Sequence, residues 1–219
     1  MKKYGIIYCG FNTEDYILKS IEPFLNRENY FVSAVSVPFK EYKDIDELED
    51  NSTNILRELV SRGRLQYLVD EPKYILESHA RNLALENLVK HNVDYIWLVD
   101  SDEFYTEQDI QKIEDYVESS NKNLFKISLK NHIFDKEHYI EEPFQPPRIF
   151  KCKIDIPNLL YPFTLNQFYW DNDICYSCFG NLVRYDKIEE LTIMPEEIAF
   201  VSHFTWLNDK IGERSFINI

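Results

Sequence analysis

The chain has 219 residues, of which 44% are hydrophobic, so it is long enough to fold around a substantial core. Its formal net charge is −14, and a surface this acidic repels phosphate backbones, which argues against a nucleic-acid partner. No apolar run approaches the ~20 residues that span a bilayer, and the apolar stretch near the N-terminus is too short for a signal peptide. We therefore expect a cytoplasmic protein without a transmembrane segment.

The glycines and cysteines exclude several common classes of site. The five glycines are scattered, so the chain contains neither a Walker loop nor a G-x-G-x-x-G turn. The four cysteines include one close pair, Cys175 and Cys178, whereas a zinc site of the paired type needs a second pair. We therefore expect the cysteines to be structural thiols. Because the chain is acidic and has no glycine-rich phosphate loop, any phosphate ligand must be held by a metal ion, a helix N-terminus or a single arginine.

Strand and helix patterns alternate over the first half of the chain. Apolar runs at residues 4–11, 30–37 and 65–69 predict buried strands. Apolar residues at helical spacing predict helices after the first and second of these runs, and Asn12 or Thr13 is expected to cap the first helix.

A longer helix is predicted over residues 78–91, and the unbroken apolar run Tyr95–Val99 follows it. Such a run is typical of a central strand that is covered on both faces of a parallel sheet. It ends in Asp100-Ser101-Asp102-Glu103, and a further helix follows with Thr106 as its expected cap. This order of elements predicts a doubly wound α/β layer.

The pattern changes after about residue 123. Phe125, Ile127 and Leu129 alternate with polar residues, and so do the apolar residues of the segment 150–156. Alternation predicts half-exposed, antiparallel strands. We expect one domain over residues 1–219, in which residues 1–122 form the α/β part and residues 123–219 an irregular C-terminal part that is rich in proline and aromatic residues.

Asp100 and Asp102 follow the most apolar strand, at the sheet edge where doubly wound folds bind ligands. If the strand geometry persists, both carboxylates point the same way, and a divalent cation relieves their repulsion while it binds a diphosphate. The alternative is that these residues only cap the next helix, but Thr106 is the better cap. We therefore predict a metal and diphosphate site at this edge.

The segment Ser78-His79-Ala80-Arg81-Asn82 opens the helix before this strand, so its N-terminus lies at the same sheet edge. Free backbone N–H groups there favour an anion, and Arg81 adds a permanent charge. The alternative is a surface ion pair. The proximity to the two aspartates favours a role in ligand binding.

The motif Ala80-Arg81-Asn82-x-x-Leu85, followed by an apolar strand and Asp-x-Asp, resembles family-2 and related glycosyltransferases of the GT-A type over residues 4–120. The run Ile-Ile-Tyr-Cys-Gly-Phe-Asn-Thr-Glu resembles their first strand and nucleotide-binding turn. The resemblance implies an α/β fold with a GT-A-like, Rossmann-type mixed sheet flanked by helices. Residues 1–122 would bind the nucleotide-sugar, and residues 123–219 would form the acceptor side and complete the metal site.

The resemblance also implies the ligands and the role of each matched residue. The donor is a nucleotide-sugar, with UDP favoured, the acceptor is a glycan-type hydroxyl, and the cofactor is Mn²⁺ or Mg²⁺. The expected metal residues are Asp102, which ligates the ion directly, Asp100, which contacts either the ribose or the metal through water, and His203. The expected donor-binding residues are Gly10, Phe11, Asn12, Asp70, Arg81, Asp100 and Ser101. Many family members carry a carboxylate pair after the second strand, where this chain has Ser36-Val37-Pro38-Phe39. Asp70, which follows the third strand, is expected to take its place in reading the nucleotide base.

The late part of the chain contributes two further expectations. His203 follows the short apolar run Ala199-Phe200-Val201, so it is expected at a strand end, with a packed core histidine as the alternative. An inverting enzyme needs a base for the acceptor hydroxyl, and Asp171 and Asp173 are the candidates in the aromatic-rich segment. A retaining enzyme needs no such base.

Three other functions remain open from the sequence. A phosphatase of the haloacid-dehalogenase type also has Asp-x-Asp after an apolar strand, with the first aspartate as nucleophile, but there the motif opens the fold. A nucleotidyltransferase of similar fold carries a glycine-rich N-terminal signature, which is missing here. A non-catalytic sugar-binding relative shares the fold and lacks only turnover.

Overall fold

A computed structural model of the chain describes residues 1–39, 50–122, 124–132, 137–141, 145–151, 168–171, 174–177 and 191–204. These residues form an α/β fold with a seven-stranded sheet, a four-stranded sheet and a two-stranded antiparallel pair. The predicted mixed sheet with flanking helices is confirmed. Within the described ranges, no helix is long and apolar enough to cross a membrane.

The predicted elements of the first half follow one another in the expected order, with boundaries that differ by one to two residues at most ends, and the short strand β5 is an addition to them. The first half contains β1 (Tyr4–Cys9), α1 (Glu14–Leu25), β2 (Tyr30–Val35), α2 (Ser52–Ser61), β3 (Tyr67–Val69), α3 (Glu77–Val89), β4 (Tyr95–Asp100), β5 (Glu103–Phe104) and α4 (Glu107–Ser119). The second half contains β6 (Leu124–Lys126), β7 (Ser128–His132), β8 (Tyr139–Glu141), β9 (Pro147–Lys151), β10 (Phe168–Asp171), β11 (Ile174–Ser177), β12 (Leu191–Ile193) and β13 (Phe200–His203).

The large sheet has the strand order β12-β6-β9-β4-β1-β2-β3. Strands β3, β2, β1 and β4 run parallel, whereas β9 is antiparallel to both of its neighbours, β4 and β6. In the register of β1 and β4, Cys9 lies opposite Asp100. The carboxyl ends of these two strands therefore meet at one edge, where parallel α/β sheets bind ligands.

Helices cover both faces of this sheet. α3 packs on one face through Ala84 and Leu88, in a cluster that includes Leu98 of β4. α1, α2 and α4 cover the other face, in a cluster that includes Trp97 of β4 and Ile113 of α4. Trp97 and Leu98 are consecutive residues that point to opposite faces, and both are buried, which explains why this strand is apolar throughout.

The two predicted helix caps have different outcomes. Thr106 caps α4 in a capping box: its hydroxyl accepts a hydrogen bond from the Asp109 backbone N–H at 3.1 Å, and the Asp109 carboxylate accepts one from the Thr106 N–H at 2.9 Å. Thr13 precedes α1 but makes no side-chain cap. Its N–H instead donates to the Ser52 hydroxyl at 2.8 Å, which joins the start of α1 to the start of α2.

The predicted antiparallel pairing holds for β6 with β9 and for β7 with β8, whereas β12 pairs parallel with β6 and β13 parallel with β7. The alternating run near residue 127 is divided between two sheets, because β6 belongs to the large sheet and β7 to the four-stranded sheet, whose order is β5-β13-β7-β8. Residues 147–150 of β9 are all buried. The prediction of half-exposure is wrong for β9, because both faces of this strand are covered: Ile149 belongs to the core cluster on one face of the sheet and Phe150 to the cluster on the other. Residues 152–156 lie outside the described residues.

Candidate active site

The candidate site begins where β4 ends. The strand stops at Asp100, and the chain turns through Ser101 and Asp102. The expectation that both carboxylates point the same way assumed that the strand continues, and this assumption is wrong. The two carboxylates have different partners, so each is described separately.

Asp100 lies between two guanidinium groups. Arg81 Nη2 is 3.2 Å from Asp100 Oδ1, and Arg148 Nη2 is 2.9 Å from Asp100 Oδ2. Arg81 also pairs with Glu77, one helical turn earlier in α3, at 2.6 Å. The predicted anion-binding residue Arg81 is thus already paired with two carboxylates, and one of them, Glu77, lies in the first turn of α3, where the anion was expected.

Glu103 is fully buried, with 0% exposure, and both of its carboxylate oxygens have partners. Arg148 donates to Oε1, and the Tyr105 hydroxyl donates to Oε2 at 3.0 Å. Burial raises the pKa of Glu103, and the charge of Arg148 opposes that rise. Burial also lowers the pKa of Arg148, but Glu103 and Asp100 outweigh burial and raise it above the usual value. Arg148 therefore links β9 to the end of β4 and to β5 through charged hydrogen bonds.

Strand β13 brings His203 to Asp102. It pairs antiparallel with β5 and parallel with β7, and the Phe204 N–H extends this pairing by donating to the Asp102 carbonyl oxygen at 2.9 Å. His203 Nε2 lies 3.4 Å from Asp102 Oδ2, and the two side chains are 19% and 16% exposed. The prediction that His203 stands at a strand end is confirmed.

The surroundings of His203 are acidic and polar. Its second ring nitrogen, Nδ1, is hydrogen-bonded to the side-chain oxygen of Asn131 in β7. Burial lowers the pKa of His203, but the hydrogen bond and charge of Asp102, together with Glu103 and Asp100, outweigh burial and raise the pKa above its usual value. The space between His203 Nε2 and Asp102 Oδ2 therefore favours a positive charge.

Asp102 and His203 are the described residues whose side chains could together hold a divalent cation. A carboxylate oxygen and a neutral imidazole nitrogen are both ligands that Mn²⁺ accepts. Within the ranges that the structure describes, no group of three or more His, Cys, Asp or Glu side chains forms a metal-binding cluster. Further ligands would then be diphosphate oxygens and water. The expected contact of Asp100 with the ribose, or with the metal through water, stays a prediction, and the Asp100 carboxylate is held by two arginines.

The predicted nucleotide-binding turn, residues 10–12, lies beside the Asp100-Ser101-Asp102 motif. The Ser101 N–H donates to the Cys9 carbonyl at 2.8 Å, so the end of β4 is joined to the end of β1. A Cβ atom at Gly10 would lie 2.9 Å from a ring carbon of Tyr8 and 3.5 Å from Ser101 Cβ, so the turn is packed too closely for a side chain. The structure thus brings Gly10 and Ser101, both predicted donor-binding residues, into contact distance.

Asn12 follows in the same turn, after the half-buried Phe11. Its φ of 55° lies in the left-handed region, which asparagine tolerates better than most residues. Its side-chain oxygen accepts from the Asp50 N–H at 3.1 Å, whereas its Nδ2 is buried and has no hydrogen-bond partner among the described residues. A buried donor without a partner is costly, so this amide is suited to a ligand.

The remaining predicted residues are less closely tied to the site. Asp70 follows β3 at the same sheet edge, separated from β1 by β2, and its Oδ2 accepts from Arg57 Nε at 2.7 Å. Asp171 ends β10, but its side chain lies outside the described structure, and so does the whole of Asp173. Both candidate bases therefore stay predictions.

Sequence reasoning missed three residues of the site: Glu103, Asn131 and Arg148. Glu103 had a local signal, because it extends the acidic motif just before the aromatic pair Phe104 and Tyr105. Asn131 and Arg148 had none. They reach the site through the registers of β7 and β9, which alternation along a single strand does not reveal.

Comparisons with protein-family models and with curated protein sequences find no match. Among solved structures, TarS of S. aureus in complex with UDP-GlcNAc is similar over 61% of this chain and 36% of that chain, at 16% identity and a TM-score of 0.44. The 4-diphosphocytidyl-2C-methyl-D-erythritol synthase of Anaerococcus prevotii is similar over 68% of this chain and 70% of that chain, at 12% identity and a TM-score of 0.43. The chain spans little more than a third of this TarS structure. At these identities the likeness concerns the fold alone.

Proposed function

We propose that the protein is a metal-dependent glycosyltransferase. It transfers a sugar from a nucleoside-diphosphate sugar, with UDP as the favoured nucleotide, to a hydroxyl group of a glycan-type acceptor. The proposal rests on one observation above all: Asp102 and His203 face each other at 3.4 Å, at the carboxyl edge of the parallel strands. The close-packed turn at Gly10 lies at the same edge.

In this proposal the residues of the site have distinct tasks. Asp102 and His203 hold Mn²⁺ or Mg²⁺, which when bound neutralises the charge of the departing nucleoside diphosphate. The turn at residues 10–12 binds the nucleotide, with the buried Asn12 Nδ2 as a hydrogen-bond donor. Arg81 and Arg148 hold Asp100 by ion pairs and thereby fix the backbone on which Asp102 sits.

The surroundings of Asp100 speak against the phosphatase alternative. A phosphatase of the haloacid-dehalogenase type attacks phosphorus with an oxygen of the first aspartate of the motif. Here Oδ1 and Oδ2 of Asp100 are each engaged by an arginine, at 3.2 and 2.9 Å. Charged hydrogen bonds to both oxygens withdraw electron density and block the approach of a substrate, so this carboxylate is suited to a structural role.

Release of UDP from UDP-sugars, measured with Mn²⁺ and a panel of sugar acceptors, tests the proposed function. We expect release by the wild-type protein and its loss in Asp102→Asn. The matched control is Asp115→Asn, which makes the same chemical change on the exposed face of α4, where the Asp115 carboxylate accepts a hydrogen bond from Gln111 at 3.0 Å. Equal release by wild-type protein and Asp102→Asn contradicts the proposal, and donor binding without turnover on any acceptor identifies a non-catalytic relative.

A further inference from the structure

Asn131 is a buried polar residue whose side chain meets the candidate metal ligand. It lies in β7, is 1% exposed, and stands opposite His203 in the parallel register of β7 and β13. Its Oδ1 is hydrogen-bonded to His203 Nδ1. On the other side of the ring, His203 Nε2 faces Asp102 Oδ2 at 3.4 Å. The imidazole is thus held between an amide and a carboxylate.

The chemistry of the amide fixes the proton on the ring. An amide oxygen has lone pairs and no hydrogen, so it only accepts, and the His203 Nδ1 must be the donor. In a neutral imidazole one nitrogen is protonated and the other has the free lone pair. With the proton on Nδ1, the lone pair is on Nε2 and is directed towards the same side as Asp102 Oδ2.

We propose that Asn131 is the positioning residue of the metal site: it holds His203 in the Nδ1–H form and fixes the orientation in which Nε2 binds the cation beside Asp102. The inference rests on the proposed function for the presence of that cation. Histidine ligands commonly donate their second N–H to an acceptor, and loss of such an acceptor typically weakens metal binding by 10–100-fold.

A second pair on the same two strands provides a matched control. His132 Nε2 and the Ser202 hydroxyl are 3.1 Å apart, so they also form a side-chain hydrogen bond between β7 and β13. Ser202 precedes His203 and, by strand alternation, points to the opposite face of the sheet. Removing its hydroxyl deletes a cross-strand hydrogen bond while leaving the bond between Asn131 and His203 intact.

The test compares three variants by titration with Mn²⁺ in the presence of UDP, with free Mn²⁺ followed by electron paramagnetic resonance. Asn131→Leu keeps the number and branching of the side-chain heavy atoms and removes the acceptor, and we expect Mn²⁺ binding to weaken by roughly 10–100-fold. Asn131→Asp retains an oxygen that accepts from Nδ1–H, and we expect an affinity within a few-fold of wild type. Ser202→Ala should bind Mn²⁺ as the wild-type protein does. Equal affinities for Asn131→Leu and Ser202→Ala overturn the inference.

A second measurement needs no variant at position 131, so it decides the question even if Asn131→Leu does not fold. Wild-type protein with ¹⁵N-labelled histidine is loaded with Zn²⁺ and UDP, and the His203 signals are assigned by their absence in His203→Gln. We expect a protonated Nδ1 and a metal-bound Nε2. A protonated Nε2 with a metal-bound Nδ1 overturns the inference.

The two levels of the proposal fail in different ways. If the wild-type protein binds neither Mn²⁺ nor Zn²⁺ in the presence of UDP, the proposed metal-dependent function fails, and the role of Asn131 fails with it. If the wild-type protein binds Mn²⁺ and Asn131→Leu binds it equally well, only the role of Asn131 fails.

Discussion

At the scale of single residues, two aspartates that are two positions apart have opposite surroundings. Asp100 lies between the guanidinium groups of Arg81 and Arg148, whereas Asp102 faces the imidazole of His203. A carboxylate whose two oxygens are each engaged by an arginine has little room for a divalent ion. A carboxylate beside an imidazole nitrogen is placed to bind a metal ion together with that nitrogen. Within the proposed function, the asymmetry favours the second aspartate as the metal ligand and gives the first a supporting role.

This asymmetry predicts that Asp102→Asn weakens Mn²⁺ binding more than Asp100→Asn does. For Asp102→Asn we expect a loss of at least roughly tenfold, because even residues that only support a metal ligand contribute that much. Calorimetric titration of each variant with Mn²⁺, in the presence of UDP, measures the two affinities. A greater loss for Asp100→Asn would show that the first aspartate is the principal ligand.

His203→Gln separates the two candidate metals. Mn²⁺ accepts an imidazole nitrogen more readily than Mg²⁺, which prefers oxygen ligands, so the variant should lose more affinity for Mn²⁺ than for Mg²⁺. Parallel titrations with the two ions give the ratio of affinities. An unchanged ratio in a folded His203→Gln protein would return this histidine to the role of a packed core residue.

At the scale of elements, the site is assembled where strands of the seven-stranded sheet meet strands of the four-stranded sheet. Arg148 of β9 is bonded to Asp100 at the end of β4 and to Glu103 in β5, while β13 pairs with β5 and β7. Glu103 is wholly buried, so its charge depends on Arg148 for compensation. The ion pair therefore fixes the geometry of the motif and also affects the stability of the fold.

We predict that Arg148→Met destabilises the protein by about 3–5 kcal/mol, because it leaves the buried Glu103 carboxylate without its countercharge. The double variant Arg148→Met/Glu103→Gln should recover much of that loss, since the uncompensated charge is then absent. Unfolding in urea, followed by circular dichroism, measures both differences in the free energy of unfolding.

The control for this prediction is Arg62→Met. Arg62 pairs with Glu58 on the exposed surface of α2, and such a pair typically contributes less than about 1 kcal/mol. If Arg148→Met costs no more than Arg62→Met, or if the double variant is no more stable than the single one, the buried pair does not have the proposed role.

Features that depend on neighbouring residues could be predicted from the sequence, and features that depend on strand register could not. The apolar run before Asp100 correctly indicated a central strand, because a strand covered on both faces must be apolar throughout. Thr106 was recognisable as a cap from its position before α4. The bonds of Arg148 to Glu103 and of Asn131 to His203 join residues 45 and 72 positions apart, so no local pattern predicts them.

At the scale of the whole molecule, the net charge is the reason to expect that the proposed donor binds together with a cation. The chain has a formal net charge of −14, which repels a nucleoside diphosphate. The two site arginines do not reverse this, because Arg81 is paired with Glu77 and Asp100, and Arg148 with Asp100 and Glu103. When Asp102 is counted with these residues, the described side chains around the motif contain more carboxylates than guanidinium groups. A divalent ion is therefore the expected source of the missing positive charge.

It follows that UDP should stabilise the protein only when Mn²⁺ is present. At a UDP concentration of about 100 times its Kd, binding to the native state should raise Tm by roughly 5–10 °C with Mn²⁺, and excess EDTA should abolish that rise. Uridine is the matched control: it has no phosphate, so any shift that it causes should be the same in Mn²⁺ and in EDTA. A thermal unfolding series with both ligands under both conditions isolates the diphosphate–metal interaction. An equal rise in Tm by UDP in Mn²⁺ and in EDTA would mean that protein side chains alone compensate the diphosphate charge. That result would contradict the expectation, because Arg81 and Arg148 are already engaged in ion pairs with Asp100.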